Sequence, residues 1–394
     1  MNFDEIKALE DKYLMPTYAH FPVSLESGEG ATFVNSEGGR VIDFGSGIGV
    51  TALGTANEKW LKAVTEQLKK LQHTSNLYYN STVALLAEKL CKRTGFERVF
   101  FCNSGAEANE CAIKLARKYS FDKYGAERYN IISLVNSFHG RTMATITATG
   151  QEHYHKFFNP FVQGFKYVAA GDTEGFYAAA DSTVCAVILE VIQGEGGVVP
   201  TDFEFLRNVE KICREKDILL IVDEIQTGVG RTGKFFAYEY AGISPDLVTI
   251  AKGIGNGLPM GACLSAEKTA CVLTPGTHGT TFGGNPVAAA GALCVLDEVN
   301  DSLMAEVLQK SEYIKARLSE IDEVKSVSGM GLMLGIELKT KTAADIAKKC
   351  CENGLLILTA KNKLRMLPPL VITKEEIDRG IEILKNTIES EVTE

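Results

Sequence analysis

Short apolar runs alternate with helical patterns through the middle of the chain, from about residue 97 to 300. The runs are RVFFC, NIISLV, VCAVILE, ILLIV and DLVTIA, and none alternates apolar and polar residues as a strand with one wet face does. Between them, Ala108, Cys111 and Leu115 recur at helical spacing, as do Phe205 and Val209. The pattern predicts an α/β protein in which helices cover both faces of a mostly parallel sheet.

The two ends of the chain have a different pattern. Near the start, ATFVNSEGGRVIDFG is typical of a hairpin around a Ser-Glu-Gly-Gly turn. Near the end, SVSGMGLMLGIEL, GLLILTA and KLRMLPP have the character of strands interleaved with amphipathic helices. These segments predict a smaller α+β domain built from residues 1–55 and 296–394, beside a large domain formed by residues 56–295.

Charge and composition limit the partners and the cellular compartment that we expect for the protein. The 394 residues carry a net charge of -9 without a dense Lys/Arg cluster, which disfavours nucleic acid and membrane surfaces as partners. No apolar run approaches the roughly 18 residues that span a bilayer, and the acidic N-terminus MNFDEIKALEDKYL does not resemble a signal peptide. We expect a cytoplasmic protein whose ten cysteines are mostly buried, reduced thiols.

A glycine-rich loop, DEIQTGVGRTGKF, follows the apolar run ILLIV. Gly228, Gly230 and Gly233 fit G-x-G-x-x-G, and residues 228–234 fit most of a Walker A motif, with Phe235 where Ser or Thr is required. A nucleotide-dependent oxidoreductase or kinase would need a long helix directly after this loop, and the short aromatic segment KFFAYEYAG is a poor candidate. The pattern favours a connecting loop.

An acid in front of this loop needs a positively charged partner. Asp223 ends a buried apolar run, where an ionised carboxylate is costly unless it is paired; Arg231 could supply that partner, or a ligand could. Lys252 ends the neighbouring run LVTIA and should lie at the same edge of the sheet. A lysine amine and an aspartate there match pyridoxal 5'-phosphate, whose aldehyde needs the amine and whose protonated ring nitrogen needs the carboxylate.

Two further segments suit the same cofactor. RVFFC leads into Ser104, Gly105 and Ala106 at the start of a long amphipathic helix, where backbone amides can bind a phosphate. Ser104 and Glu107 also fit a capping box, and the two functions are compatible. The segment NSFHGRT then offers the flat rings of Phe138 and His139 for the cofactor ring, and a guanidinium, Arg141, for a substrate carboxylate.

Six motifs in this order resemble the class III pyridoxal-phosphate aminotransferases of fold type I. They are FFCNSGAEANECAIKLARKY, SFHGRT, EVIQGEGGV, VDEIQTGVGRTGKFFAYE, PDLVTIAKGIGNGLPMGA and HGTTFGGNP. The early segments YLMPTYAHFPV and LQHTSNLYYN are similar to the acetylornithine aminotransferase branch. The resemblance implies a large domain with a seven-stranded sheet, and transfer of the δ-amino group of N-acetyl-L-ornithine to 2-oxoglutarate.

The resemblance also implies a role for individual residues. Lys252 and Asp223 would be catalytic, and Arg141, Thr280, Glu195 and Arg365 would bind substrate, with Glu195 paired to Arg365 until 2-oxoglutarate arrives. The residues implied to bind the cofactor are Ser104, Gly105, Ala106, Phe138, His139, Glu190, Asp223, Gln226, Lys252 and Thr281. Because Thr281 would reach the site of the neighbouring subunit, a homodimer is implied. From the residues alone, the alternative for Arg365 is a position on a surface strand.

One segment departs from the family pattern, and the donor stays open. LGTANE stands where relatives usually have LGHxHP, so Thr55, Asn57 and Glu58 replace two histidines and a proline; we expect a local effect. Succinylornithine, ornithine, 4-aminobutyrate and N-succinyl-diaminopimelate are alternative amino donors. A catalytically silent cofactor-binding protein is a further alternative, although Lys252, Asp223 and Arg141 are all present.

Overall fold

The computed structural model describes residues 1–390, so residues 391–394 of the segment predicted to close the small domain lie outside the described residues. The described part contains thirteen helices and seventeen strands. The helices are α1 Phe3–Tyr13, α2 Ser46–Gly49, α3 Glu58–Lys70, α4 Ser81–Thr94, α5 Gly105–Tyr124, α6 Met143–Ala148, α7 Glu152–His155, α8 Thr173–Ala179, α9 Phe203–Lys216, α10 Pro286–Glu298, α11 Asp301–Ser319, α12 Ala343–Glu352 and α13 Lys374–Ser390.

The strands divide among four sheets. They are β1 Leu25–Glu29, β2 Thr32–Asn35, β3 Arg40–Asp43, β4 Arg98–Cys102, β5 Asn130–Leu134, β6 Phe165–Val168, β7 Val184–Leu189, β8 Ile192–Gln193, β9 Val199–Pro200, β10 Leu219–Asp223, β11 Leu247–Ile250, β12 Gly261–Ser265, β13 Val324–Met330, β14 Met333–Leu338, β15 Leu355–Leu356, β16 Leu358–Ala360 and β17 Lys363–Met366.

A seven-stranded sheet in the order β4-β12-β11-β10-β7-β5-β6 contains all five strands expected from the apolar runs. Only β12 runs against its neighbours, and every residue of β7 and β10 is buried, as expected for strands covered on both faces. The prediction of an α/β protein with a mostly parallel sheet is confirmed. The strands β6 and β12 were not predicted, because FKYV is only partly buried and GACLS lacks β-branched residues.

Both ends of the chain contribute to a second group of sheets. The hairpin β2–β3 forms as expected, and the short strand β15 pairs with β3 in parallel, so a late segment joins an early one in one sheet. A further sheet has the order β13-β14-β17-β16. The domain boundaries near residues 55 and 295 stay a prediction.

Most of the cysteines are buried, as expected from the sequence. All ten are free thiols, seven of them are buried, and Cys271 is exposed. Within residues 1–390, no helix combines the length and apolar character needed to cross a bilayer.

Candidate active site

A cavity of about 340 Å³ opens where five strands of the large sheet end. The strands β4, β5, β7, β10 and β11 are parallel to one another, so their carboxyl ends lie at the same edge of the sheet. The strand β12 lies between β11 and β4 and is antiparallel to both. Ligands of open α/β sheets bind at such carboxyl ends. The predicted site residues that line the cavity are Ser104, Gly105, Ala106, Phe138, His139, Glu190, Glu195, Asp223, Gln226 and Lys252.

Lys252 enters the cavity from the turn that follows β11. Its backbone is left-handed (φ 48°), and it begins a single turn of 3-10 helix. Burial lowers the pKa of its amine to about 8, although Glu195 opposes that change. About a tenth of the amine is therefore neutral at pH 7, far more than for an exposed lysine, and a neutral amine is the nucleophile that an aldehyde requires.

Asp223, the last residue of β10, is held by three hydrogen bonds. Its Oδ2 accepts from Asn109 Nδ2 and lies 2.8 Å from His139 Nδ1, and its Oδ1 accepts from the Ile225 amide at 3.0 Å. Asn109 is itself fixed by the Thr249 hydroxyl, which donates to Asn109 Oδ1 at 2.7 Å. Across the described residues, Asp223 has no Lys or Arg ion-pair partner, so the carboxylate is oriented while its charge stays available.

Arg231 does not serve as the partner of Asp223, so that alternative is wrong. Its guanidinium is buried, donates to the backbone carbonyls of Leu332 (3.0 Å) and Pro368, and faces Asp43. Arg231 thereby ties the glycine-rich loop to the C-terminal part of the chain.

The loop itself leads into a single 3-10 turn, Ala237–Tyr240, and no long helix follows it. Glu224 anchors this turn, because its carboxylate accepts from the Tyr238 amide at 2.8 Å and from the Thr227 hydroxyl at 2.5 Å. Burial raises the pKa of Glu224 to about 7. The geometry supports the connecting-loop interpretation and gives a nucleotide no helix N-terminus to bind.

The start of α5 forms an anion cradle beside the cavity. Ser104 caps the helix by accepting from the Glu107 amide at 3.2 Å. The Glu107 carboxylate accepts from the Asn103 amide at 2.6 Å, one residue before the position that a capping box uses. The first-turn amides of Gly105 and Ala106 have no intrahelical acceptor. A Cβ on Gly105 would lie 2.8 Å from Ile225 Cδ1, so glycine here lets Ile225 pack against the start of the helix.

Glu190 follows β7 and braces the segment that carries Phe138. Its Oε1 accepts from the Phe138 amide at 2.9 Å, and its Oε2 accepts from the Gly194 amide at 3.3 Å. Burial raises its pKa to about 7. A Cβ on Gly194 would lie 2.2 Å from Gln226 Oε1, so any larger residue there would force the Gln226 side chain to move.

Glu195 and Arg365 form an ion pair across 170 residues of sequence. Arg365, on β17, is only 4% exposed, and its Nη1 lies 2.5 Å from Glu195 Oε1 and 3.4 Å from Gln226 Oε1. Burial alone would raise the pKa of Glu195, but the Arg365 guanidinium outweighs it and holds the pKa below its ordinary value. The alternative of a surface position for Arg365 is wrong.

Arg141 lies in a different environment from Arg365. It is exposed, and its guanidinium carbon lies 4.7 Å from the centre of the Tyr154 ring and 5.8 Å from that of Phe138. No carboxylate is within ion-pair distance among the residues that the structure describes. Arg141 therefore offers unpaired donors close to a residue of the cavity wall.

Thr280 and Thr281 do not line the cavity. Thr281 is exposed, and Thr280 Oγ1 accepts from Asn103 Nδ2 at 3.3 Å. Both line a second, open cavity of about 760 Å³, together with residues 73–80. In a single chain Thr281 lies outside the first cavity, and Thr280 is linked to it through Asn103, which lines that cavity.

The sequence interpretation missed Asn109 as a supporting residue. It is fully buried on the face of α5 that otherwise carries apolar residues such as Ala108 and Cys111. A polar residue within that periodic apolar face was the available signal.

The departure at residues 53–58 lies outside the lining residues, and Asn57 Oδ1 caps α3 by accepting from the Trp60 amide at 3.0 Å.

The donor set fits pyridoxal 5'-phosphate. Lys252 offers an amine for the aldehyde, and Asp223 offers an oriented carboxylate for a protonated ring nitrogen. The first turn of α5 offers amides for the phosphate, and Gly105 and Ala106 line the cavity. His139 Nε2 is buried without a hydrogen-bond partner among the described residues, which leaves one polar atom for an additional contact.

Comparison with known proteins gives consistent matches. The family model "Aminotransferase class-III" matches residues 13–388. The acetylornithine aminotransferase of Haemophilus ducreyi is 50% identical over 390 residues, covering 98% of this chain and 99% of that protein. Such matches confirm the resemblance inferred from the motifs.

Solved structures agree over the whole chain. The N-acetylornithine aminotransferase of Stenotrophomonas maltophilia superposes with a TM-score of 0.85 at 37% identity, covering 98% of this chain and 99% of that one. The ornithine aminotransferase of Toxoplasma gondii superposes with a TM-score of 0.95 at 30% identity, covering 100% and 97%. The fold-type prediction is therefore confirmed.

Proposed function

This chain belongs to the class III aminotransferases, and we propose that it is an acetylornithine aminotransferase. It transfers the δ-amino group of N2-acetyl-L-ornithine to 2-oxoglutarate and yields N-acetyl-L-glutamate 5-semialdehyde and L-glutamate. The name of the Haemophilus ducreyi relative, at 50% identity, supports this donor. The structural observation that carries the proposal is the pair of arginines, one unpaired (Arg141) and one held by Glu195 (Arg365), which suits two carboxylate substrates in turn.

Class III aminotransferases depend on pyridoxal 5'-phosphate, which, when bound, delocalises the charge left on the substrate carbon after a proton is removed. We assign the covalent attachment to Lys252 and the contact with the ring nitrogen to Asp223. Once released by substrate, the Lys252 amine would take a proton from the δ-carbon of the donor and pass it to the C4' carbon of the cofactor, and with 2-oxoglutarate it would move a proton from that carbon to the former carbonyl carbon of the acceptor. Its lowered pKa suits both directions near neutral pH.

Arg141 and Arg365 explain how one cavity accepts two substrates. Arg141 holds the α-carboxylate of the donor, because this carboxylate lies far from the reacting δ-amine. Glu195 meanwhile neutralises Arg365. The second carboxylate of 2-oxoglutarate, which lies next to the reacting carbonyl, then replaces Glu195 on Arg365, and the donor has no group there that can compete.

We also propose a cytoplasmic homodimer with shared sites. Large apolar side chains stand exposed around Thr280 and Thr281, and a contiguous apolar surface of this kind is typical of a protein interface. They are Leu77, Tyr78, Tyr79 and Phe282. On this proposal, Thr281 reaches the cofactor phosphate of the neighbouring subunit.

A donor panel tests the assignment. The purified protein, loaded with pyridoxal 5'-phosphate, is assayed with 2-oxoglutarate and each of the alternative donors, and kcat/KM is compared. We expect N-acetylornithine to rank first. Ornithine is the main alternative donor, because the ornithine aminotransferase of Toxoplasma gondii superposes with a higher TM-score than the N-acetylornithine aminotransferase of Stenotrophomonas maltophilia. A clear preference for ornithine would overturn the donor assignment and leave the family unchanged.

A further inference from the structure

Arg141 is held by aromatic rings and, within residues 1–390, by no acid. Its guanidinium carbon lies 4.7 Å from the centre of the Tyr154 ring, closer than to the ring of Phe138. The two rings meet edge to face, with centres 5.5 Å apart and planes at 62°. Tyr154 belongs to the short helix α7 and lies outside the lining of the cofactor cavity.

Stacking on a ring has a different effect from pairing with a carboxylate. A ring face attracts the guanidinium and fixes its plane, but it takes none of the five N–H donors. An acidic partner would occupy those donors and compete with an incoming carboxylate. The aromatic support therefore keeps Arg141 oriented and available.

The helix that carries Tyr154 is in turn tied to the segment that carries Phe138. Just before it in the chain, Gln151 is buried and donates through Nε2 to the Ser137 carbonyl at 3.0 Å. On the other side, His155 Nε2 lies 2.8 Å from the Ile146 carbonyl. These contacts fix the backbone that carries Tyr154 on both sides, and the edge-to-face contact with Phe138 supports the ring itself.

We propose that Tyr154 is a positioning residue that orients Arg141 toward the substrate carboxylate remote from the reacting amine. The inference rests on the proposed function, since it assumes that Arg141 binds this carboxylate. It extends that function to a residue that touches neither the cofactor cavity nor, in its assigned role, the reacting atoms.

Replacing the ring tests the proposal. Tyr154→Leu removes the π face, and we expect the KM for N-acetylornithine to rise about three- to tenfold, the range of a cation–π contact, with kcat changed less than about twofold. The matched control Tyr154→Phe keeps the ring and loses only the hydroxyl, so its KM should stay within about twofold of the wild type. Tyr154→Met serves as a second ring-free variant if the leucine variant is insoluble.

A donor without a carboxylate separates positioning from general damage. With n-butylamine, the rate of the donor half-reaction, followed by the change in cofactor absorbance, should be the same in Tyr154→Leu and the wild type. An equal loss with both donors, or a phenylalanine variant as impaired as the leucine variant, would overturn the proposal. If the wild type prefers another carboxylate-bearing donor, the proposed function is wrong, and the same comparison is made with that donor.

Discussion

The regions around Arg141 and Arg365 hold the same side chain in opposite ways. Arg365 is buried and its Nη1 lies 2.5 Å from Glu195 Oε1, whereas Arg141 is exposed and packs against Tyr154 and Phe138. A cation paired with an acid must be released before it binds an anion, while a cation held by rings is always available. The difference teaches that the support of an arginine decides when it can bind, as much as its position decides what it binds.

Both arginines are proposed to serve one reacting centre, so removing that centre should have the largest effect on turnover. Lys252→Ala should reduce turnover at least a thousandfold with every donor, because the covalent attachment and the proton transfer are lost together. The measurement is steady-state transamination together with the visible spectrum of the protein.

The matched control for this change is Lys234→Ala, in the glycine-rich loop. We expect activity within about twofold of the wild type, because Lys234 does not line the cavity. Normal turnover in Lys252→Ala, or inactivation by Lys234→Ala with loss of nucleotide binding, would contradict the assignment.

Replacing each arginine should affect the two half-reactions differently. Arg141→Ala should raise the KM for N-acetylornithine about 10- to 100-fold, the size of one lost charged hydrogen-bonded contact. Arg365→Ala should raise the KM for 2-oxoglutarate by a similar factor and affect the donor half-reaction less. Single-turnover rates for each half-reaction provide the measurement, and identical profiles for the two variants would show that the comparison has no functional meaning.

The pH dependence of cofactor uptake offers a sharper distinction. Burial depresses the pKa of the Lys252 amine to about 8, so the neutral, reactive fraction grows as the pH rises through 8. Uptake of pyridoxal 5'-phosphate by cofactor-free protein should accelerate about tenfold between pH 7 and 9.

Variants should move this midpoint in a way that depends on the arginine. The negative charge of Glu195 raises the pKa of Lys252 and the positive charge of Arg365 lowers it, while Arg141 is not among the main groups that act on it. Glu195→Gln should therefore shift the midpoint below 8, and Arg141→Ala should leave it unchanged. A midpoint that follows Arg141 would place the wrong arginine near the amine.

Glu195→Gln should also produce the smallest change in binding, of a few-fold. Without the competing charge, Arg365 is free for 2-oxoglutarate, whose KM should fall, while the donor loses its neutralised surroundings and its KM should rise. Glu195→Asp keeps the charge and is the control. Two KM values that move together would argue against a gate formed by Glu195.

Much of the site could be predicted because the sheet places it. Asp223 and Lys252 end neighbouring parallel strands, so apolar runs in the sequence suffice to bring their backbones together. The Glu195–Arg365 pair could be inferred only from family resemblance, since no local pattern joins a loop after β7 to a strand of the other end of the chain. Tyr154 was missed because a four-residue helix has no periodicity to reveal it.

The pairing of β3 with β15 has a consequence for the synthesis of the chain. Leu355 and Leu356 emerge from the ribosome roughly 300 residues after Ile42 and Asp43, their partners in the sheet, so the first hairpin must wait for its neighbour through most of translation. Arg365 follows only a few residues later. A nascent chain that stops before this point would contain Lys252 and Asp223 and still lack the group proposed to bind the second substrate, so the acceptor part of the site is the last to be synthesised.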